Sequence, residues 1–250
     1  MSNVYQAPES NLVDDKQVEG DYGSVEKAIS GNYEFSIGSV LSEAWEKTSG
    51  SKWPIQLAFF YYFLVMMGVV IALSIVTAGM MTVSEDPSAV ALMQVVIQVA
   101  VNLIAMPMML GIVIMGIRRA VGAEIYAGSV FSCYSKILPL FATMVLVYIM
   151  VIIGLILFVL PGIYLMVAYY MAMPLVVEKN MSPWQAMEVS RKAITHRWFS
   201  VFGLFLVMGI ILTVSMIPLG LGLIWTLPMF VIAFGILYRN MFGVEAETVA

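Results

Sequence analysis

Between Ile137 and Val177 the chain carries no charged residue. At about 40 residues, this run is twice the ~20 that an α-helix needs to cross a hydrocarbon core of about 30 Å. It reads as two membrane crossings, and Pro161-Gly162 near its middle is the expected turn between them. Glu178 and Lys179 end the run. An amphipathic segment from Ser182 to Trp198 follows, expected to lie on the membrane surface.

Composition places the whole chain in the same class. It is 61% hydrophobic and 11% charged, with a mean hydropathy of +0.94. A soluble domain is about half apolar and about a quarter charged. The net charge of -4 argues against nucleic acid as a partner. The single cysteine, Cys133, rules out an internal disulfide. The polar N-terminus lacks the charged-then-apolar layout of a cleavable signal peptide, so the first spanning helix is expected to direct insertion.

Residues 1–34 are expected to form a disordered, acidic, cytoplasmic tail. Glu9, Asp14, Asp15, Glu19, Asp21, Glu26 and Glu34 outweigh Lys16 and Lys27, and little apolar surface offsets the entropy of ordering. Its Tyr5-Gln6-Ala7-Pro8 resembles a short Tyr-x-x-Pro opening of small bacterial membrane proteins, and reads either as a docking tag for a protein partner or as a solvated tail. Ile37, Val40, Leu41, Ala44 and Trp45 then fall on one helical face, predicting an interfacial helix anchored by Trp45 and Trp53. A membrane domain over 35–243 follows, with spans at about 55–81, 89–117, 137–160, 163–177, 199–217 and 224–238 by the ~20-residue criterion. Ser84-Glu85-Asp86-Pro87 makes a polar turn, and residues 244–250 form a short tail. The predicted fold is an all-α integral membrane protein: six transmembrane helices as three hairpins, each preceded by an interfacial amphipathic helix.

All 12 lysines and arginines lie in the N-terminal region, in 118–136, in 178–197 or at Arg239. The turns within the three hairpins have none. The positive-inside rule then puts both termini in the cytoplasm, in agreement with an even number of spans. The leading segments also echo one another: Gly38-Ser39-Val40-Leu41-Ser42, Gly128-Ser129-Val130-Phe131-Ser132, and more loosely Ala186-Met187-Glu188-Val189-Ser190.

No catalytic pairing, cofactor motif or metal-ligand cluster stands out. His196 has no cluster of ligands beside it, and Cys133 is either an acylation target or a bystander. Three sets of residues are candidates for function. Gln94, Gln98 and Asn102 recur every four residues on the second span. Amides in hydrocarbon are costly unless paired, so this face is expected to look into the bundle, as a cavity for a polar substrate or lipid headgroup or as interhelical glue. Arg118, Arg119, Arg191, Lys192 and Arg197 are candidates for contact with anionic headgroups. Pro107, Pro161, Gly162, Pro174 and Pro228 are expected hinges or turns, since proline removes a backbone donor and kinks a helix.

Leu160-Pro161-Gly162-Ile163-Tyr164, then Pro174-Leu175-Val176-Val177-Glu178-Lys179-Asn180, then Ser182-Pro183 through Ala186 to Ser190-Arg191 resemble the bacterial YciC-like inner-membrane proteins. The pattern is also similar to the membrane domain fused to some glycerophosphodiester phosphodiesterases. The resemblance implies a six-span inner-membrane module of unestablished activity. The phosphodiesterase barrel and its metal-binding acids have no counterpart here. Two functions follow as expectations: a non-enzymatic scaffold or regulator of envelope components, or a translocator of lipid or small molecules using the Gln94 face. Membrane lipids are the expected partners, with a protein partner at the tail or bundle and homo-oligomers also open.

Overall fold

The computed structural model describes residue 20, residues 22–81 and residues 86–249. The Tyr5–Pro8 opening and the first residues of the Ser84–Pro87 turn lie outside the described residues. The elements are α1 (Val25–Ser30), α2 (Ile37–Thr48), α3 (Lys52–Met81), α4 (Pro87–Ala120), a 3-10 helix (Ala127–Lys136), α5 (Ile137–Leu157), α6 (Val159–Ala168), α7 (Ala172–Glu178), α8 (Pro183–His196), α9 (Trp198–Met216), α10 (Leu223–Phe242) and α11 (Ala246–Val249). Among the described residues, six helical stretches are long and apolar enough to cross a membrane. The protein is therefore an all-α, multi-pass membrane protein.

The core runs along a seam between α4 and α10. The two helices are parallel in register, with Gly116 against Val231 and Gly235, and Ala120 O accepting from Arg239. A Cβ built on Gly116 would sit 2.1 Å from Val231 O, and one on Gly235 would sit 2.1 Å from Gly116 O. Only glycine lets the backbones approach so closely, as small residues do at membrane helix interfaces. Around this seam α2, the 3-10 helix, α7, α8 and the start of α3 close a compact base. The other ends of the hairpins bury little. α3 buries Ile55 and Ala58 but nothing described beyond them, and its apolar side chains face outward, as expected of surface in lipid.

Four expectations need correction. Residues 22–34 are folded. Ser24 caps α1, whose Ala28 is fully buried, and α1 packs on α8. Tyr33 Oη donates to Ala193 O at 2.9 Å. Burial pushes the Tyr33 phenol up to about 12 against the pull of Arg197, so it stays a neutral donor. The acidic count hid these anchors, because Tyr22, Val25, Ala28, Ile29 and Tyr33 are few but sit where the chain meets α8 and α10.

The second correction concerns the turn of the middle hairpin. It falls at the extended residue Phe158, and Pro161 and Gly162 lie inside the first turn of α6. A first-turn proline has no helical bond to lose. Gly162 instead permits contact, since a Cβ there would meet the Leu155 side chain at 2.3 Å. Third, Pro174 is likewise in the first turn of α7, and the fourth span breaks upstream of it at Tyr169–Met171. Fourth, in α2 the buried face is Val40, Ala44 and Thr48 against α10, with Trp45 exposed; the second leading segment is helical, as a 3-10 helix.

The described parts of both termini lie at one end of the molecule. Gly23 N donates to Arg239 O, and Glu178 accepts from Glu245 N.

The seam makes one prediction. Gly235→Val should destabilise the fold by about 1–3 kcal/mol, the range for overpacking a close-packed site. The single buried thiol, Cys133, is 1% exposed, so its labelling reports unfolding. The variant should label at lower temperature than wild type, and an unchanged profile would contradict the close approach.

Candidate functional site

Side chains from neighbouring elements reach backbone groups where helices carry proline or break. Pro228 stands inside α10 and has no N–H for Ile224 O. Gln56 Nε2 from α3 fills the gap, donating to Ile224 O at 3.1 Å and Leu223 O at 3.0 Å. Pro107 stands inside α4, and Tyr134 Oη from the 3-10 helix donates to Ile104 O at 2.8 Å close by. The fourth span breaks at Tyr169–Met171, between α6 and α7, and Ser190 of α8 bridges the break. Its Oγ donates to Ala168 O at 2.7 Å and accepts from Met171 N at 3.2 Å. Ser190 is fully buried. Neighbouring side chains thus satisfy backbone groups of interrupted helices.

Beside the Tyr169–Met171 break lies a cavity of about 440 Å³. Phe59 of α3, Met109 and Val113 of α4, Tyr148 of α5, Tyr170 and Phe234 of α10 are among its walls. No charged side chain lines it, and the only polar side chains there are the phenols of Tyr148, Tyr169 and Tyr170. Met109, Tyr148, Met166 and Tyr170 are exposed on its outer side, so the cavity opens sideways through the bundle wall. Apart from these phenols its lining is aliphatic, aromatic and thioether.

Two buried polar groups close the base. Arg239 Nη1 and Nη2 grip Glu43 at 2.7 and 2.9 Å, and Nη1 also donates to Ala120 O at 2.7 Å. The guanidinium stands 5.0 Å from the Tyr22 ring. Glu178 accepts from Tyr238 Oη at 2.8 Å and lies 3.5 Å from Lys179 Nζ, which reaches Glu245 at 2.7 Å. Among the described residues, every buried side-chain nitrogen and oxygen has a partner. In the sequence Glu178 and Lys179 show only as the end of the uncharged run. The helical spacing of Glu43 gives no sign of Arg239, 196 residues away.

The basic candidates are engaged within the chain. Arg118 Nε donates to Thr248 O. Arg119 donates to Lys47 O and Ser49 O, both at 3.1 Å. Arg191 and Lys192 share Glu188 at 2.8 and 3.3 Å, and Arg197 pairs with Glu34 at 3.5 Å. His196 Nε2 meets Ile29 O at 2.9 Å. Cys133 is buried, which leaves no accessible thiol for acylation.

The amide row is where expectation and structure part. Gln94 and Gln98 are exposed and Asn102 is half-buried. Asn102 Nδ2 donates to Gln98 O at 2.7 Å along its own helix. The face lies on the outside of the chain rather than within the bundle, and Gln94 borders a groove between α3 and α4 with Val70, Ser74 and Ala78.

Compared with known proteins, the chain matches no protein-family model, no curated sequence and no solved structure.

Two predictions follow. Ser190→Ala leaves Ala168 O and Met171 N–H unpaired in a dry site and should lower stability by about 1–3 kcal/mol, read again by Cys133 labelling; no change would remove Ser190 from its bridging role. The second concerns acid. Burial alone raises the Glu43 carboxyl, but the hydrogen bonds and charge of Arg239, helped by Lys47, prevail and hold it below its ordinary 4.5. The folded value is depressed, so the stabilisation is present above 4.5 and is lost as pH falls through the folded value. Thermal unfolding in lipid should therefore show an acid-dependent loss in wild type that Glu43→Gln lacks; identical pH profiles would contradict the pair.

Proposed function

We propose that the protein is a non-enzymatic module of the bacterial inner membrane that supports or regulates envelope components, and that it does so by holding a lipid acyl chain in the cavity beside the α6–α7 break. The cavity carries this reading. Its volume of about 440 Å³ lies within the ~300–1,000 Å³ of ligand pockets, and its walls are aromatic, aliphatic and thioether groups. Methionine adapts to chains of differing shape, and Met106, Met109, Met166 and Met173 all line the space. A lateral opening lets a chain enter from the bilayer without crossing water. The absence of charge on the lining disfavours an ion-coupled pump, which needs an ionisable group at that depth.

The base fits the cytoplasmic side. It gathers Arg118, Arg119, Lys179, Arg191, Lys192, Arg197 and Arg239, as the positive-inside rule requires of the inner face. The resemblance to YciC-like proteins supports the same location.

The test is extraction into native-membrane nanodiscs followed by mass spectrometry of retained lipid. Val113→Trp fills the cavity and should reduce retained lipid at least about fivefold, as loss of a well-packed site does. Ile156→Trp, at a position 78% exposed, should leave it unchanged. Equal lipid in both variants would overturn the acyl-chain site. A stoichiometric protein partner that persists in Val113→Trp would instead assign the regulatory role to a protein contact.

A further inference from the structure

We propose that the outer half of the α3–α4 hairpin is where two copies of this chain meet, amide row against amide row. The argument starts from length. Gly116 stands 29 residues into α4 and Gly235 stands 12 into α10, counted from Pro87 and Leu223. The helices are parallel in register at that contact, so α4 runs on for roughly 25 Å past the start of α10 at about 1.5 Å per residue. Burial follows the same division. Buried positions in α4 cluster between Met106 and Ala120, whereas between Ser88 and Ala105 only Met93 is buried. In its outer half the hairpin packs only on itself.

Most of that surface needs no partner. Phe63, Met67, Ile71, Ile75, Leu92 and Val95 are exposed, and lipid tails suit them. Ser74 and Thr77 donate to their own helix at Val70 O and Leu73 O, at 2.7 and 2.8 Å. The Gln94 and Gln98 side chains are different. Among the described residues neither has a hydrogen-bond partner, and the Asn102 amide reaches only the Gln98 backbone. The row extends from the eighth to the sixteenth residue of α4, so water at the helix tip does not serve all of it. Unpaired amides among apolar side chains are costly in hydrocarbon, and such side chains bond across helices in membranes.

A second copy is the occupant that the chemistry selects. A carboxamide is both donor and acceptor. A two-fold axis along the membrane normal brings Gln94, Gln98 and Asn102 each to the same residue of the other copy, where every amide gives and takes one hydrogen bond. Such an isologous contact is self-complementary by symmetry. The groove that Gln94 lines together with Val70, Ser74, Ala78 and Val101 is partly floored by small residues, which let a helix come close. A charged partner finds no counter-charge here: from Trp53 to Met81 and from Pro87 to Ile117 the sequence has no charged residue.

Cross-linking in native membranes tests this. In a Cys133→Ser background, Gln94→Cys and Gln98→Cys should oxidise to a disulfide-linked dimer, whereas Val96→Cys, two residues round the helix, should not. Replacing Gln94, Gln98 and Asn102 together by leucine should raise the dimer dissociation constant in lipid about tenfold or more, measured by single-molecule photobleaching, while the thermal unfolding profile stays that of wild type. Dimer from Val96→Cys equal to that from Gln98→Cys, no dimer from either amide position, or an unchanged dimer in the triple leucine variant would overturn the proposal. So would cross-linking of the amide positions to a different protein.

Discussion

Arg239 is the interaction on which the base depends. It is 8% exposed, and a guanidinium in that position is tolerable only if its donors are placed. The structure places them on three other parts of the chain. Glu43 brings α2, Ala120 O brings the end of α4, and the Tyr22 ring brings the N-terminal segment. Gly23 N then donates to the Arg239 carbonyl. Removing one partner of a buried pair is far more damaging than the pair is stabilising. The four segments are therefore held as a unit, and the cavity walls contributed by α4 and α10 are fixed from below.

Above the base a second constraint takes over. In lipid, each backbone group must be satisfied within the protein. The chain carries proline inside α4 and α10 and breaks its fourth span at Tyr169–Met171, and it supplies Gln56, Tyr134 and Ser190 from neighbouring elements to backbone groups at these places. The break in the fourth span opens the cavity, and Ser190 holds that break in one geometry. The same rule gives the amide row its meaning: among the described residues the buried polar side chains are all paired, whereas the Gln94 and Gln98 side chains have no hydrogen-bond partner.

The architecture was largely legible in the sequence. The uncharged run, the span lengths and the positions of lysine and arginine are properties of the chain that a membrane reads directly, and the Glu188–Lys192 pair and Ser182 cap of α8 follow from local spacing. The candidate site was much less legible. Ser190 was visible only as part of a motif, because its partners lie across the α6 break. Gln56 reads as one polar residue near a helix start. Arg239 and Glu43 look like ordinary surface charges at helix ends. The direction of the amide face was misread because pairing within one bundle is only one of the ways to satisfy an amide. Local periodicity fixes which residues share a face, while what that face meets depends on contacts between segments far apart in sequence.

The most direct test of the account is the structure of the protein in nanodiscs of native lipid at a resolution that shows acyl chains. The account predicts an elongated, unbranched density entering past Tyr148 and Tyr170 and ending among Phe59, Val113 and Phe234. A cavity closed by contact between α4 and α5, or one filled by ordered water, would contradict it.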